Sequence, residues 1–287
     1  MMTPDRLPRQ LIAHAVDSAL AEDLGLVGDI TSNATILPDA RASAWIAARQ
    51  PGVVAGIDLA EYAFRALDPD VEFRVEAGDG DHVTAGTPIA QVTGNARALL
   101  GAERVALNFL GRLSGIATLT NAYVTAIAGT SAAIVDTRKT TPGLRALEKF
   151  GVRCGGGRNH RVGLFDAILI KDNHIVAAGG LSSAIERARA TAGHMVKIEV
   201  EVDNLEQLRE ALTYRIDAVL LDNMGPDLLR QAVAMTGGRV LLEASGGVNL
   251  DTVRTIAETG VDLISVGALT HSAPVLDLGL DMGYSVV

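Results

Sequence analysis

Six short, nearly continuous apolar runs occupy the chain from residue 130 onward, and each ends in polar residues. They are AAIVDTRKT (132–140), DAILIKDNH (166–174), MVKIEVEVD (195–203), IDAVLLDN (216–223), GRVLLEASGG (238–247) and VDLISVG (261–267). Between most of them lie segments with helical apolar spacing: SSAIERARA (182–190), NLEQLREAL (204–212), DLLRQAVAM (227–235) and LDTVRTIAET (250–259). Runs without apolar/polar alternation suit strands buried on both faces, and the helices supply the crossovers that parallel strands need. An open doubly wound sheet and a closed barrel share this signature. The barrel is the better expectation because every run delivers candidate functional residues at its end, where barrel enzymes collect their chemistry. Six strands make it smaller than the eight-stranded form.

The N-terminal part has a different texture. QLIAHAVDSALAEDL (10–24) has helical spacing and stops at Gly25. Residues 42–57 and 71–94 read as short strands broken by Gly and Pro, and 97–128 as helix with a break near Ser114–Gly115. Within them, DGDHVTAGTPIAQVTG (79–94) has the turn-rich look of biotinyl and lipoyl carrier hairpins but holds no lysine to carry a cofactor. A structural β-hairpin is the expectation, and a carrier or binding module is remote.

Composition narrows the function classes. With 48% apolar and 21% charged residues the chain suits a packed globular protein. No apolar run reaches the ~18–20 residues of a membrane span, and Met1–Gln10 lacks a signal-peptide layout. The one cysteine, Cys154, has no partner for an internal disulfide, so a cytoplasmic protein is expected. A net charge of −9 with 3% aromatics argues against nucleic-acid binding. The charge is unevenly placed, however. From Asp136 to His174 there are eight Lys and Arg against four acids, a basic stretch in an acidic chain. A solvated helix face would explain such a run as readily as a focused anion site.

The run ends favour the anion site. They deliver Thr137, Arg138 and Lys139; then Lys171; then Glu199 and Glu201; then Asp222 and Asn223; then Glu243 with Ser245, Gly246 and Gly247; then Ser265, Val266, Gly267 and Ala268, with His271 beyond. The loop RCGGGRNHRVG (153–163) adds His160 and Arg161. Two Arg, two Lys and a His at one mouth would repel one another without an anion. Arginine forks match carboxylates and phosphates, and lysine offers a compact charge. Only four of the 25 basic residues are lysines, and two of those four sit at run ends. Glycines after the last two strands permit backbone amides to approach a phosphate, at the usual barrel phosphate site. Glu201 and Asp222 could hold Mg²⁺ through water, accept from sugar hydroxyls or stabilise a cation. GGGRNH has neither the spacing nor the terminal Lys-Ser/Thr of a P-loop.

DTRKTTPGLRALEKFGVRCGGGRNHRVGL (136–164) followed by LIKDNH (169–174) closely resembles the quinolinate phosphoribosyltransferase family. The resemblance continues through EVEVDNLEQL (199–208), LLDN (220–223), EASGGV (243–248) and ETGVDLISVGALTHS (258–272), and upstream through EDLG (22–25), DIT (29–31), GVVAG (52–56) and AERVALNFLGRLSGIAT (102–118). It implies an α/β protein with an N-terminal α/β sandwich (1–115) and a six-stranded α/β barrel (116–271), the tail 272–287 packing back on the first domain. It implies a homodimer with shared active sites, and a reaction that joins quinolinate to phosphoribosyl pyrophosphate with Mg²⁺, giving nicotinate mononucleotide, pyrophosphate and CO₂. Carried over, Arg104 would come from the neighbouring subunit; Arg138, His160, Arg161 and Lys171 would grip two carboxylates; Lys139 would contact the donor. Glu201 and Asp222 would sit at the ribose and Mg²⁺, and Ser245–Gly247 with Val266–Ala268, helped by His271, at the 5-phosphate. Lys139, Lys171, Glu201 and Asp222 are the expected catalytic residues, with Thr137 beside them in the binding site. Thr141 and Phe150 depart from the expected Leu and Tyr at what look like packing positions. The alternatives are a nicotinate-type or molybdate-operon phosphoribosyltransferase, or a phosphosugar lyase with Lys171 as Schiff base. Arg145, Lys149, Arg153 and Arg158 remain without a role and read as ordinary surface.

Overall fold

The structure, a computed structural model, describes residues 6–283. In chain order it begins with α1 (Arg9–Leu24), α2 (Ile30–Thr35), β1 (Arg41–Ala48), β2 (Gly52–Val53), α3 (Ile57–Leu67), β3 (Glu72–Val75), β4 (His82–Val83), β5 (Pro88–Asn95) and α4 (Ala96–Ala126). There follow β6 (Ala133–Val135), α5 (Arg145–Cys154), β7 (Ile168–Ile170), α6 (Asp172–Ala178), α7 (Leu181–Thr191), β8 (Ile198–Val202), α8 (Leu205–Ala211) and β9 (Ala218–Asp222). The last elements are α9 (Pro226–Thr236), β10 (Leu241–Ser245), α10 (Val253–Ala257), β11 (Leu263–Ser265), α11 (Ala268–His271) and β12 (Leu278–Gly283). No helix among the described residues is long and apolar enough to cross a membrane.

The chain divides into two units. The first takes residues up to 121, then 141–156 and those from 272; the second takes 122–140 and 157–271. This differs from a cut at 115/116. The expected helix break at Ser114–Gly115 does not occur, and α4 runs through both residues. Their small size serves packing instead. Ala55 N–H donates to the buried Ser114 Oγ at 2.9 Å, and a Cβ on Gly115 would stand 1.9 Å from the Pro274 carbonyl oxygen. A Ser-Gly pair that reads as a breaker is therefore a site of close approach.

In the first unit β12, β1, β5 and β3 form an antiparallel sheet in that order, and β2 pairs separately with β4. The expected hairpin over 79–94 is not one ladder: β4 pairs with β2, whereas β5 pairs with β1 and β3. The 141–156 segment is anchored through Glu148, whose side chain is fully buried. Arg112 Nη2 donates to Glu148 Oε1 at 2.8 Å, Thr141 Oγ1 donates to the same oxygen at 2.8 Å, and Thr141 N–H donates to Oε2 at 3.0 Å. Thr141 is thus a hydrogen-bond partner of a buried carboxylate and not merely a packing position; Phe150 is buried as expected. Lys149, expected at the surface, is 1% exposed, and the Arg153 guanidinium lies 5.5 Å from the Phe150 ring centre.

The second unit is a sheet of six parallel strands in the order β6-β11-β10-β9-β8-β7. From β7 to β11 each strand pairs with the next in sequence, and β6, the first, lies beside β11, the last. That is the order of a wrapped barrel, not of a doubly wound sheet whose order reverses part-way. All five residues of β8 are buried, as a two-sided strand requires. Local chemistry sets the helix ends. Asn204 accepts from the Glu206 and Gln207 amides at the start of α8, and α9 has Pro226 in its first turn and left-handed Gly237 after its last. Among the described residues no ladder joins β6 to β7. The seam carries Arg158 instead, whose N–H donates to Ile134 O at 2.8 Å and whose carbonyl accepts from Asp136 N–H at 3.2 Å.

Candidate active site

The C-terminal ends of the six strands enclose a cavity of about 840 Å³ within the second unit. Thr137, Arg138 and Lys139 reach it after β6, Lys171 after β7, Glu201 from β8, Asp222 from β9, Ser245–Gly247 after β10, and Val266–Ala268 with His271 after β11. His160 and Arg161 enter from the loop before β7. Every second-unit residue expected in the site therefore lines this one cavity. Arg104 belongs to the first unit, exposed on α4. Arg145, Lys149 and Arg153 also belong to the first unit, which breaks up the basic stretch seen in the sequence. Asn173 and His174 lie on α6 and do not line the cavity; His174 Nδ1 accepts the Lys171 N–H at 3.0 Å.

Asp136, fully buried just past β6, holds the arginine-bearing loop. It accepts from His160 N–H at 2.9 Å and from Asn159 Nδ2 at 2.6 Å. His160 Nδ1 in turn accepts the Arg161 N–H at 2.7 Å, and Nε2 faces Glu199 Oε2 at 2.8 Å. Both ring nitrogens are thereby engaged within the protein. The ring thereby holds the loop that presents Arg161, while His160 itself also lines the cavity.

The two arginines remain open to a ligand. The Nε atoms of Arg138 and Arg161 are buried and have no hydrogen-bond partner. Arg161 Nη1 donates to Ala167 O at 3.2 Å. Burial, and next the charge of Arg138, push the Arg161 guanidinium below its ordinary range. Two such groups side by side in a half-dry cavity are costly until an anion supplies acceptors. Lys171 Nζ donates to Glu201 Oε2, and Asn223 Nδ2 donates to Asp222 Oδ2 at 2.6 Å. Lys139 is exposed at the mouth, its N–H donating to Thr137 Oγ1 at 3.0 Å and its carbonyl accepting from Thr270 Oγ1 at 2.7 Å.

Sequence reasoning placed Glu199 and Glu243 at strand ends, whereas each lies two residues deeper, buried inside the barrel. The period of two that puts Glu201 in the cavity also turns Glu199 inward, so this layer was readable from IEVEV. Asp136 as the anchor of the loop had no sequence signal beyond its place after a strand.

Family comparison agrees with the geometry. Residues 29–114 match the family described as Quinolinate phosphoribosyl transferase, N-terminal domain, and residues 116–281 match its C-terminal domain. The chain belongs to the quinolinate phosphoribosyltransferase family. A Bacillus subtilis (strain 168) relative, named "Probable nicotinate-nucleotide pyrophosphorylase (carboxylating)", is 46% identical over 92% of this chain and 91% of its own length. The Arabidopsis thaliana chloroplastic nicotinate-nucleotide pyrophosphorylase (carboxylating) is 43% identical over 96% of this chain and 84% of its own. The solved nicotinate-nucleotide pyrophosphorylase of Francisella tularensis superposes with a TM-score of 0.94 at 39% identity, covering 99% of this chain and all of that one. The quinolinate phosphoribosyltransferase fold is thus matched over nearly its whole length, both units included.

Proposed function

We propose that the barrel cavity transfers phosphoribose from phosphoribosyl pyrophosphate to quinolinate with loss of CO₂, giving nicotinate mononucleotide and pyrophosphate for NAD biosynthesis. The observation that carries this reading is the pair of buried, unpartnered guanidinium nitrogens on Arg138 and Arg161, beside Lys171. A dicarboxylate supplies one acceptor group to each of two cationic positions. Nicotinate, with one carboxylate, would leave one arginine unsatisfied, which disfavours the nicotinate-type alternative. The Lys171 ammonium is paired with Glu201, and a Schiff-base lysine needs its amine free, which disfavours the lyase.

The donor fits the remaining lining. Ser245–Gly247 and Val266–Ala268 offer backbone amides to the 5-phosphate, with open space at Gly247 and His271 nearby. Lys139, at the mouth, is placed to neutralise pyrophosphate. Glu201 and Asp222 are hard oxygen donors in the same cavity. Such a pair suits Mg²⁺ held through water and substrate phosphates, not in a closed protein cage. Bound there, Mg²⁺ would supply charge neutralisation for the leaving pyrophosphate. The carboxylates also stabilise positive charge as the ribose–pyrophosphate bond breaks and the pyridine nitrogen bonds to the ribose. The nitrogen then carries positive charge, which stabilises the electron pair left at the adjacent ring carbon as CO₂ departs; that carbon takes up a proton. No covalent nucleophile is required, because positioning and electrostatics lower the barrier. Arg104 on the exposed face of α4 is assigned to the site of a neighbouring copy, making the working form a homodimer.

The deciding assay uses labelled quinolinate, phosphoribosyl pyrophosphate and Mg²⁺, with CO₂ and nucleotide measured together. Equal release of both is expected. Turnover of nicotinate in preference to quinolinate would overturn the reading, and borohydride trapping of a substrate on Lys171 would favour the lyase.

A further inference from the structure

The interior of the barrel holds three titratable side chains from three segments: His160, Glu199 of β8 and Glu243 of β10, with ligand-type atoms all within 4.8 Å of one another. His160 and Glu243 line the large cavity and also a second one, of about 490 Å³, bounded by the first residues of β7 to β11. The cluster is therefore a partition between the two ends of the barrel. Its net charge lies beneath whatever Arg161 holds.

The histidine ring fixes the proton count. Nδ1 accepts the Arg161 amide and so bears no hydrogen; Nε2 bears it and donates to Glu199. The ring is neutral in this arrangement. The same tautomer argues against a metal ion here, since a ligating Nε2 needs its lone pair and the other nitrogen normally donates.

Glu243 is left without such a partner. Its Oε2 is buried with no hydrogen bond, 3.6 Å from an Nε2–H already directed at Glu199. No lysine or arginine is among the groups that act on its charge, and Arg161, which borders both cavities with it, donates to Ala167 O at 3.2 Å. Asp136 beyond β6 and Glu199 on β8 are acidic, β11 contributes the Ser265 hydroxyl, and the register neighbours on β9 and β11 are Leu220 and Leu263. In the second cavity Lys197 pairs with Asp217 at 2.5 Å, Arg239 donates to the Thr236 and Met235 carbonyls at 2.9 Å, and Asp262 accepts from Leu242 N–H at 2.8 Å.

We propose that Glu243 is a neutral carboxylic acid and a positioning residue for dianion recognition. By keeping its proton it withholds a further negative charge from the floor of the site, so that Arg138 and Arg161 meet a dicarboxylate with their own charge intact. Burial, and next the Glu199 carboxylate, push the Glu243 carboxyl up to about 7. As the pH rises through neutrality Glu243 ionises and dianion binding weakens. The inference rests on the dicarboxylate reading of the cavity.

The test is calorimetric binding of quinolinate and nicotinate, from about pH 6 to about pH 8.5, to the wild-type protein and to Glu243→Gln. One added charge at this range should weaken wild-type quinolinate binding about five-fold across the interval, with a smaller effect on the monoanion and a flat profile in Glu243→Gln. A flat wild-type profile, or the same slope in Glu243→Gln, overturns the proposal. Infrared spectroscopy of the wild-type protein gives a readout that needs neither the variant nor the substrate. A protonated buried carboxyl should show its carbonyl stretch at low pH and lose it above neutrality. Absence of that band also overturns the proposal. The band together with no quinolinate binding would instead defeat the dicarboxylate reading and leave the proton assignment standing.

Discussion

Gly246 and Asn223 approach so closely that a Cβ on the glycine would lie 2.1 Å from Asn223 Oδ1. Both residues have left-handed backbone, φ 93° at Gly246 and 54° at Asn223, and Asn223 N–H donates to Ser245 O at 2.9 Å. This contact ties the end of β9 to the end of β10, so the glycine is required by backbone geometry and by space together. Gly246→Ala is expected to destabilise the protein by roughly 2 kcal/mol or more, and to weaken phosphoribosyl pyrophosphate binding beyond what unfolding explains. Urea unfolding and donor KM separate the two effects.

The arginine pair makes a sharper prediction about chemistry. Arg138→Met and Arg161→Met should each lower kcat/KM for quinolinate by about 30- to 1000-fold, corresponding to ~2–4 kcal/mol of a charge-assisted contact. Arg161→Lys should recover little, because the ammonium lacks the planar fork that donates in parallel. Donor binding measured without quinolinate should hardly change. A matching loss of donor affinity would move these arginines from the acceptor to the phosphates.

Much of this site is legible in the sequence. The six runs marked β6 to β11, and their polar ends marked the cavity, because a parallel strand buried on both faces leaves only its ends for chemistry. What the sequence could not separate was charge by location. Arg138 and Lys149 lie in the same basic stretch, yet one lines the cavity and the other is buried on α5 in the first unit. The chain passes between units at 140 and 156, and no local pattern announces that crossing. Ser114–Gly115 misled for the opposite reason, since a breaker dipeptide was recruited for close packing inside a helix.

The lysines follow from the same distinction. Lys139→Ala and Lys171→Ala should fold normally and lose about 30- to 1000-fold in turnover. Lys149→Ala, which the sequence alone would make mild, should instead lower stability by roughly 2–4 kcal/mol through the void left by a fully buried side chain. Thermal melting and steady-state kinetics on the three variants check this. Wild-type turnover in Lys139→Ala or Lys171→Ala would remove that lysine from the mechanism.

Cys154 gives a probe of the first unit. It is 3% exposed, and burial followed by the nearby Asp79 charge pushes its thiol well above the ordinary range. Because the thiolate is the reactive form, the native protein should resist disulfide-exchange and alkylating reagents at neutral pH and react fully once unfolded. Rapid labelling of the folded protein would show that the segment carrying α5 opens readily.

The raised pKa of Glu243 also carries a stability signature with a definite sign. In the unfolded chain the carboxyl loses its proton near the ordinary value of 4.5; in the folded protein it keeps it up to about 7. Between those values the folded state binds more protons than the unfolded state, so stability falls as pH rises through that window and levels off above it. Glu243→Gln cannot ionise and lacks this loss. Relative to the wild type, the variant should therefore gain stability on going from about pH 4 to about pH 8, by at most about 3 kcal/mol for this one group. Other titrating groups cancel in the difference between the two proteins, so their own pH dependence does not obscure it. Urea midpoints for both proteins at the two pH values supply the measurement. An unchanged difference between them would mean that Glu243 titrates alike in the folded and unfolded states, and the neutral floor of the dianion site would go with it.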